Sequence, residues 1–437
     1  MVENLGKSFK CSCGKVHTLP IKKIIVEEGA LQKVPDLISR LTDEEKIFLI
    51  ADKNTYHAAG HDLYILLQER YKVKTIILED DKVIPDPDTI FTVLEQINRE
   101  GYIIACGSGT LNDLTRYISF KLEKPYLIVA TAPSMDGYAS SVAPLTIKGV
   151  KKTFSAVPPE AIVADISVLQ NAPWEMIQAG FGDLLGKATS LLDWQLANLL
   201  LDEYICNKSI NLVKRELDKM VEIAHDLKLR TKKSIEVLIN GLINSGLAML
   251  MVGSSRPASG CEHHISHFID MYSHMYNEEV PPHGIKVGLG TYFTSSIYLR
   301  LREMDFSEFN YRDKKEDRVQ KIKDGYQSSA KTILKTLEER WEKEKLDITK
   351  LKKKEGEIKD LISNYAKYLE KIKPLLREVG IFERKDVHSL KKSWLKSALK
   401  YGFEIRERYT VVTLLSQLGY LDSWSDELIN SLAETLD

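Results

Sequence analysis

Cysteine is scarce in this chain. Five residues among 437 make no disulfide framework, and thiols in a reducing compartment are the expected state. An excess of one charge is missing as well. With 61 Lys and Arg against 62 Asp and Glu, the formal charge of −1 supplies no global drive toward nucleic acid or an anionic membrane, so binding has to be local. No run reaches the roughly 20 apolar residues a bilayer demands. The nearest approach, residues 237–252, is interrupted by Asn240 and Asn244 and reads as a buried helix, not as a membrane insertion. Residues Met1 to Lys7 lack the apolar core of a signal peptide, which makes the cytoplasm the expected location. No internal repeat or low-complexity tract emerges.

What is present is a globular composition, 43% hydrophobic and 28% charged, long enough for two domains at about 100–200 residues each. Short β-branched runs alternate with helical patterns from about Ile21 to Asp165: Ile24-Ile25-Val26, Ile47-Phe48-Leu49-Ile50, Thr75-Ile76-Ile77-Leu78, Tyr102-Ile103-Ile104-Ala105 and Tyr126-Leu127-Ile128-Val129. Continuous apolar strands separated by helices predict a mostly parallel sheet covered on both faces. Beyond Asp165 helical periods take over. The expected organisation is therefore an α/β domain over 1–167 and an all-α domain over 168–437, with a charged extension from about 303.

Histidine is also rare, ten residues in all, yet it is clustered in Glu262-His263-His264-Ile265-Ser266-His267 and Pro282-His283-Gly284. His263 and His267, four apart, share one face of a helix, which suits nitrogen ligation of a divalent ion; His264 points off that face. In Phe181-Gly182-Asp183-Leu184-Leu185-Gly186-Lys187, an ion pair between Asp183 and Lys187 competes with another use of the carboxylate. With His263 and His283, Asp183 makes an Asp-His-His set that keeps a position open for substrate.

In a parallel sheet, ligands sit beyond the carboxyl ends of the strands. One such end opens a helix with Gly107-Ser108-Gly109-Thr110-Leu111-Asn112-Asp113, where glycines and a helix N-terminus favour a phosphate, although the spacing is not the G-x-G-x-x-G fingerprint. Another is Thr131-Ala132-Pro133-Ser134-Met135-Asp136-Gly137-Tyr138-Ala139-Ser140-Ser141, hydroxyls around one carboxylate. A third ends at Asp52, which can accept from a ribose diol or simply cap a helix. Cys11-Ser12-Cys13-Gly14 with His17 hints at zinc, but a closed structural site needs four ligands and no second cysteine pair appears.

Together these motifs, with Ser255-Arg256-Pro257-Ala258-Ser259-Gly260-Cys261 leading into the histidines, resemble the sn-glycerol-1-phosphate dehydrogenase family within the dehydroquinate synthase-like and iron-containing alcohol dehydrogenase superfamily, in its longer bacterial form. The resemblance spans about residues 20–300. It implies a reversible, NAD- or NADP-linked interconversion of dihydroxyacetone phosphate and sn-glycerol 1-phosphate for glycerolipid synthesis, with one divalent ion, zinc or nickel, iron being usual in the alcohol-dehydrogenase branch. Asp183, His263 and His283 would hold the metal, and Asp136, Asp183 and His267 would meet the substrate. The nucleotide would contact Asp52, Gly107, Gly109, Thr110, Leu111, Asn112, Asp113, Thr131, Ala132, Pro133, Ser134 and Ser140. Arg256 and Lys187 are the cations expected at the substrate phosphate, with Lys187 counted beside Asp136 and His267 as catalytic. Relatives imply a homo-oligomer, a dimer in the first instance. The competing readings are a polyol (glycerol) dehydrogenase, an NAD-using cyclase and a non-catalytic metal or nucleotide sensor.

Overall fold

The computed structural model describes residues 2–80, 83–98, 100–147 and 150–436. The chain divides into two compact units, Met1–Leu184 with Asp218–Ser254, and Leu185–Leu217 with Ser255–Asp437.

In the first unit the described strands are β1 Lys7–Lys10, β2 Val16–Leu19, β3 Lys23–Glu27, β4 Lys46–Asp52, β5 Lys72–Leu78, β6 Tyr102–Gly107, β7 Tyr126–Ala130, β8 Val142–Ile147, β9 Val150–Ser155 and β10 Ala161–Asp165. Six of them form one parallel sheet in the order β3-β10-β7-β6-β4-β5. Every residue of β6, β7 and β10 is buried, as the continuous apolar runs require of a sheet covered on both faces. Helices α1 Val34–Leu41, α2 His61–Gln68, α3 Pro87–Leu94 and α4 Gly109–Leu122 connect the strands. One layer of the core joins Val34, Ile38, Leu63 and Leu67 to Ile47, Leu49, Ile104 and Val129, each such side chain contributing about 1.5–3 kcal/mol by leaving water.

The chain adds β5 on one side of β4, then lays β6, β7 and β10 on the other. Strand order thus reverses between β4 and β6, where an open α/β sheet leaves a crevice at its carboxyl edge. Those two strands end at Asp52 and Gly107.

Two antiparallel hairpins, β1–β2 and β8–β9, and the last parallel strand β10 go beyond the strands read from the sequence. After β10 the chain is helical throughout its described residues: α5 Trp174–Leu185, α6 Lys187–Leu201, α7 Asn207–Ile223, α8 Lys232–Val252, α9 Cys261–Tyr276, α10 His283–Glu303 and the shorter helices of the extension. Helix α8 is long and apolar enough to cross a membrane, but 67% of its apolar window is buried in the fold. It is a core helix.

In the second unit α9 and α10 approach closely: a Cβ on Gly290 would stand 2.5 Å from the Glu262 carbonyl oxygen. The extension combines solvated charged faces with a buried ion-pair network. Arg318 and Arg340 are buried, Arg318 paired with Glu404 at 2.5 Å and Glu344 at 2.6 Å, and Arg340 paired with the same two carboxylates at 3.1 Å each.

Candidate active site

In the first unit, Asp52 caps the helical turn that follows β4, its Oδ1 accepting from the Thr55 amide at 2.7 Å. This is the capping use the sequence allowed, and it engages one carboxylate oxygen. At the end of β6 the chain turns through Gly107 and Ser108 into α4, whose first amides lie beyond the reach of intrahelical acceptors. A Cβ on Gly107 would stand 2.5 Å from the Leu111 side chain, so this glycine permits the tight strand-to-helix turn. Leu111 packs inward at 1% exposure, which leaves its backbone for any ligand. Gly109 and Thr110 are half-buried at the turn.

The side chains of Asn112 and Asp113 serve the neighbouring loop. Asn112 is fully buried, accepting from the Tyr126 hydroxyl at 2.9 Å and donating to the carbonyls of Gly137 and Tyr138 at 3.4 and 3.5 Å. Asp113 pairs at 2.8 Å with Arg116, which is itself buried and donates to the carbonyls of Val142 and Gly137. The loop from Thr131 to Ser141 is clamped from its other sides too. The Thr131 amide donates to the Gly107 carbonyl at 3.2 Å, and the Ala132 carbonyl accepts from Tyr138 at 2.6 Å. The Ser134 amide reaches back to the Ala132 carbonyl at 3.0 Å, and Ser140 caps the start of β8. Gly180 of α5 lies so near that a Cβ there would be 1.8 Å from the Pro133 carbonyl oxygen.

Asp136 stands at the centre of that loop. Its amide donates to Asp183 Oδ2 at 3.0 Å, and its Oδ2 accepts from the Ser245 hydroxyl of α8 at 2.9 Å. Asp183 is fully buried. A carboxylate removed from water in this way needs donors or a cation, and the Asp136 amide is one such donor.

In the second unit, the rings of His263, His267 and His283 converge. His263 and His283 are 5.2 Å apart between centroids, His267 and His283 5.3 Å, and His263 and His267 6.1 Å. The i,i+4 spacing on α9 aligns the first two, and His283, the first residue of α10 after Pro282, supplies the third. Glu262 accepts from His263 Nδ1 at 2.8 Å, from the Thr189 hydroxyl at 2.7 Å and from the Gly260 amide at 2.6 Å. Burial alone would raise the Glu262 carboxyl, but these donors outweigh it and hold the group below the usual range. With its Nδ1–H donated, the His263 ring presents the Nε2 lone pair, the tautomer a metal requires. A second acid, Asp270, shares a ligand-sized cluster with His267 and His283, yet it is already neutralised by Lys286 at 2.5 Å. His264, as expected, lies off this face: it is fully buried and held neutral by its burial and by nearby arginines.

Neither cation named for the phosphate is arranged to take one. Arg256 donates to both carboxylate oxygens of Glu203 and to the Tyr409 carbonyl. Lys187 Nζ, fully buried, donates to the Ala258 carbonyl at 3.0 Å. The residues that sequence reasoning missed are Arg406 and Arg408, from the extension. Arg406 Nη2 lies 3.4 Å from His267 Nε2, and no carboxylate among the described residues pairs with it. Arg408 donates to the Ser259 carbonyl at 2.8 Å and to the Ser255 hydroxyl, again without a carboxylate. Burial, and then the charges of Arg406 and Arg256, push Arg408 down to about 9. The buried Ser259 hydroxyl has no hydrogen-bond partner among the described residues. Two uncompensated guanidiniums and an unmatched hydroxyl make a ready cradle for an anion.

Comparison with known proteins bears on this geometry. Residues 25–173 match the sequence profile described as iron-containing alcohol dehydrogenase. A glycerol-1-phosphate dehydrogenase [NAD(P)+] of Bacillus licheniformis is 30% identical over 419 residues, covering 94% of this chain and 93% of that protein. One from Geobacillus stearothermophilus is 32% identical over 427 residues, covering 96% and 98%. Among solved structures, an iron-containing alcohol dehydrogenase from Thermococcus thioreducens shares the fold at a TM-score of 0.60 with 13% identity, covering 94% of this chain and 97% of that one. Whole-length similarity to both bacterial enzymes settles the kinship, and the chain belongs to the glycerol-1-phosphate dehydrogenase family.

Proposed function

We propose that this protein catalyses the reversible, NAD(P)H-linked reduction of dihydroxyacetone phosphate to sn-glycerol 1-phosphate. The observation that carries the reading is the whole-length likeness to two glycerol-1-phosphate dehydrogenases. Arg406 beside His267, and Arg408 on the Ser255–Ser259 segment, neither paired with a carboxylate among the described residues, support a phosphorylated substrate over a neutral polyol.

Asp183, His263 and His283 are the proposed ligands of one divalent ion. Two imidazoles and a carboxylate suit zinc or nickel, and Glu262, accepting from His263 Nδ1, fixes that ring in the ligating tautomer. When bound, the ion supplies Lewis acidity and the nicotinamide supplies the hydride. Asp136, held by Ser245, hydrogen-bonds a substrate hydroxyl. His267 moves the proton. Arg406, Arg408 and Ser259 receive the phosphate in place of Arg256 and Lys187. Lys187 acts at one remove, by holding the Ser255–Gly260 segment through the Ala258 carbonyl. The nucleotide lies at the strand-order reversal, its phosphates on the α4 N-terminus and its ribose at Asp52, whose charge favours NAD over NADP.

The test is NADH oxidation by metal-loaded protein with dihydroxyacetone phosphate, beside dihydroxyacetone and a chelator-treated control. Metal-dependent turnover of the phosphorylated ketone to the sn-1 product supports the reading. Equal use of dihydroxyacetone moves the assignment to a glycerol dehydrogenase, and no oxidation of NADH with either ketone refutes a dehydrogenase.

A further inference from the structure

The sequence offers Cys11, Cys13 and His17 as an incomplete zinc motif, and the function just described does not use them. In the structure they converge. They lie on the β1–β2 hairpin, whose connection closes tightly: the Cys11 amide donates to the Lys15 carbonyl at 3.0 Å and the Gly14 amide to the Cys11 carbonyl at 3.1 Å. Gly14 sits at φ +86, a backbone conformation that favours glycine. This turn brings both thiols to the same end of the hairpin as His17, and the ligand atoms of the three residues lie within 4.8 Å of one another. Cys13 Sγ is 3.2 Å from His17 Nε2. A tetrahedral zinc with sulfur at about 2.3 Å and nitrogen at about 2.0 Å sets donor-to-donor edges of roughly 3.5–3.8 Å, inside the 4.8 Å that contains these atoms.

The histidine is prepared from behind. His17 is 2% exposed, and its Nδ1–H donates at 2.6 Å to the carbonyl of Met251 in the last turn of α8, a carbonyl that the helix itself leaves without a partner. That bond fixes the tautomer whose Nε2 lone pair faces the thiols, the arrangement common to ligating histidines. A hydrogen bond between a thiol and an imidazole would explain the Cys13–His17 contact alone, but not the second cysteine converging on the same point.

We propose that Cys11, Cys13 and His17 bind a zinc ion, distinct from the ion at the histidine cluster. Two thiolates and an imidazole select zinc over the hard cations. A fourth donor completes the tetrahedron. The role is structural. Two four-residue strands make a hairpin that is marginal in water, and a metal cross-link replaces the apolar core it lacks. Through His17 the ion also fixes the end of α8, the helix that carries Ser245.

The test uses full-length protein carrying His263→Ala, so that its outcome does not depend on the dehydrogenase reading. Zinc retained by this variant is examined by X-ray absorption, and cobalt replaces zinc for optical spectra. The expected result is about one equivalent of zinc with at least two sulfur neighbours at about 2.3 Å, and a thiolate-to-cobalt charge-transfer band. Adding Cys11→Ser and Cys13→Ser abolishes both. Should that variant fail to fold, His17→Cys serves instead, and retained zinc with one more sulfur neighbour supports the site. A His263→Ala protein that holds no zinc, zinc with fewer than two sulfurs, or a band that survives the double serine change overturns the proposal.

Discussion

Replacing Arg406 with glutamine tests the phosphate cradle most directly. Arg406 pairs with no carboxylate among the described residues, so its removal strands no buried anion, and the fold should hold at least as well as before. Burial already holds its guanidinium below the ordinary range, which marks a cation lacking compensation. A charge-assisted hydrogen bond is worth about 1.5–3 kcal/mol, and at about 1.4 kcal/mol per decade the variant should lose roughly 10- to 150-fold in kcat/KM for dihydroxyacetone phosphate. The control is internal. Dihydroxyacetone has no phosphate, so its kcat/KM should stay within about twofold, and the preference for the phosphorylated ketone should fall by the same factor. Steady-state NADH oxidation with both ketones gives the ratio, and a urea titration gives the stability. An equal fall for both ketones, or an unchanged ratio, would refute the assignment of Arg406 to the phosphate.

Further outcomes follow from other contacts. Gly180→Ala places a Cβ 1.8 Å from the Pro133 carbonyl oxygen; it should cost about 1–3 kcal/mol in denaturant unfolding and, by displacing the loop that carries Asp136, reduce kcat by about 100-fold. Glu404→Ala leaves Arg318 and Arg340 short of a buried partner and should destabilise by about 3–5 kcal/mol, read from the urea midpoint. Asp52→Ala removes a helix cap and the carboxylate at the end of β4. It should cost about 0.5–2 kcal/mol and shift the kcat/KM ratio toward NADPH. Burial and the neighbouring Glu262 push the Asp193 carboxyl up to about 7, against the donors Tyr298, Cys261 and Val411. Because the folded state holds that proton more tightly than the unfolded chain, the stability it contributes is full below about 3.8 and is lost as pH rises through about 7; Asp193→Asn should flatten that slope in thermal melts.

The sheet strands were legible where residues are buried on both faces, because continuous runs such as Tyr102-Ile103-Ile104-Ala105 leave few other readings. The β1–β2 and β8–β9 hairpins were not. Strands β2 and β8 alternate between exposed and buried over only four positions, and β1 does not alternate, too little pattern to stand out from a loop. At the site, the i,i+4 histidines were readable because helical spacing alone aligns them. Asn112 and Asp113 also read as ligand contacts, but only packing shows that their side chains brace the loop beside them. Arg406 and Arg408 were lost among many charges. The available signal was their setting, Ile405 before them and the apolar Val411-Val412 run after them, unlike the solvated charge runs upstream, but only the tertiary fold shows that they are left without carboxylates.

The first unit is not continuous in sequence, since Asp218–Ser254 returns to it after a stretch that belongs to the second. During synthesis its parallel sheet is complete once Asp165 has emerged, yet Ser245 and Met251 of α8, which supply the hydroxyl for Asp136 and the carbonyl for His17, follow 80 and 86 residues later. Nascent chains therefore pass through an interval with the sheet and its connecting helices formed and α8 absent, an interval that leaves the uncovered surface open to chaperones and proteases.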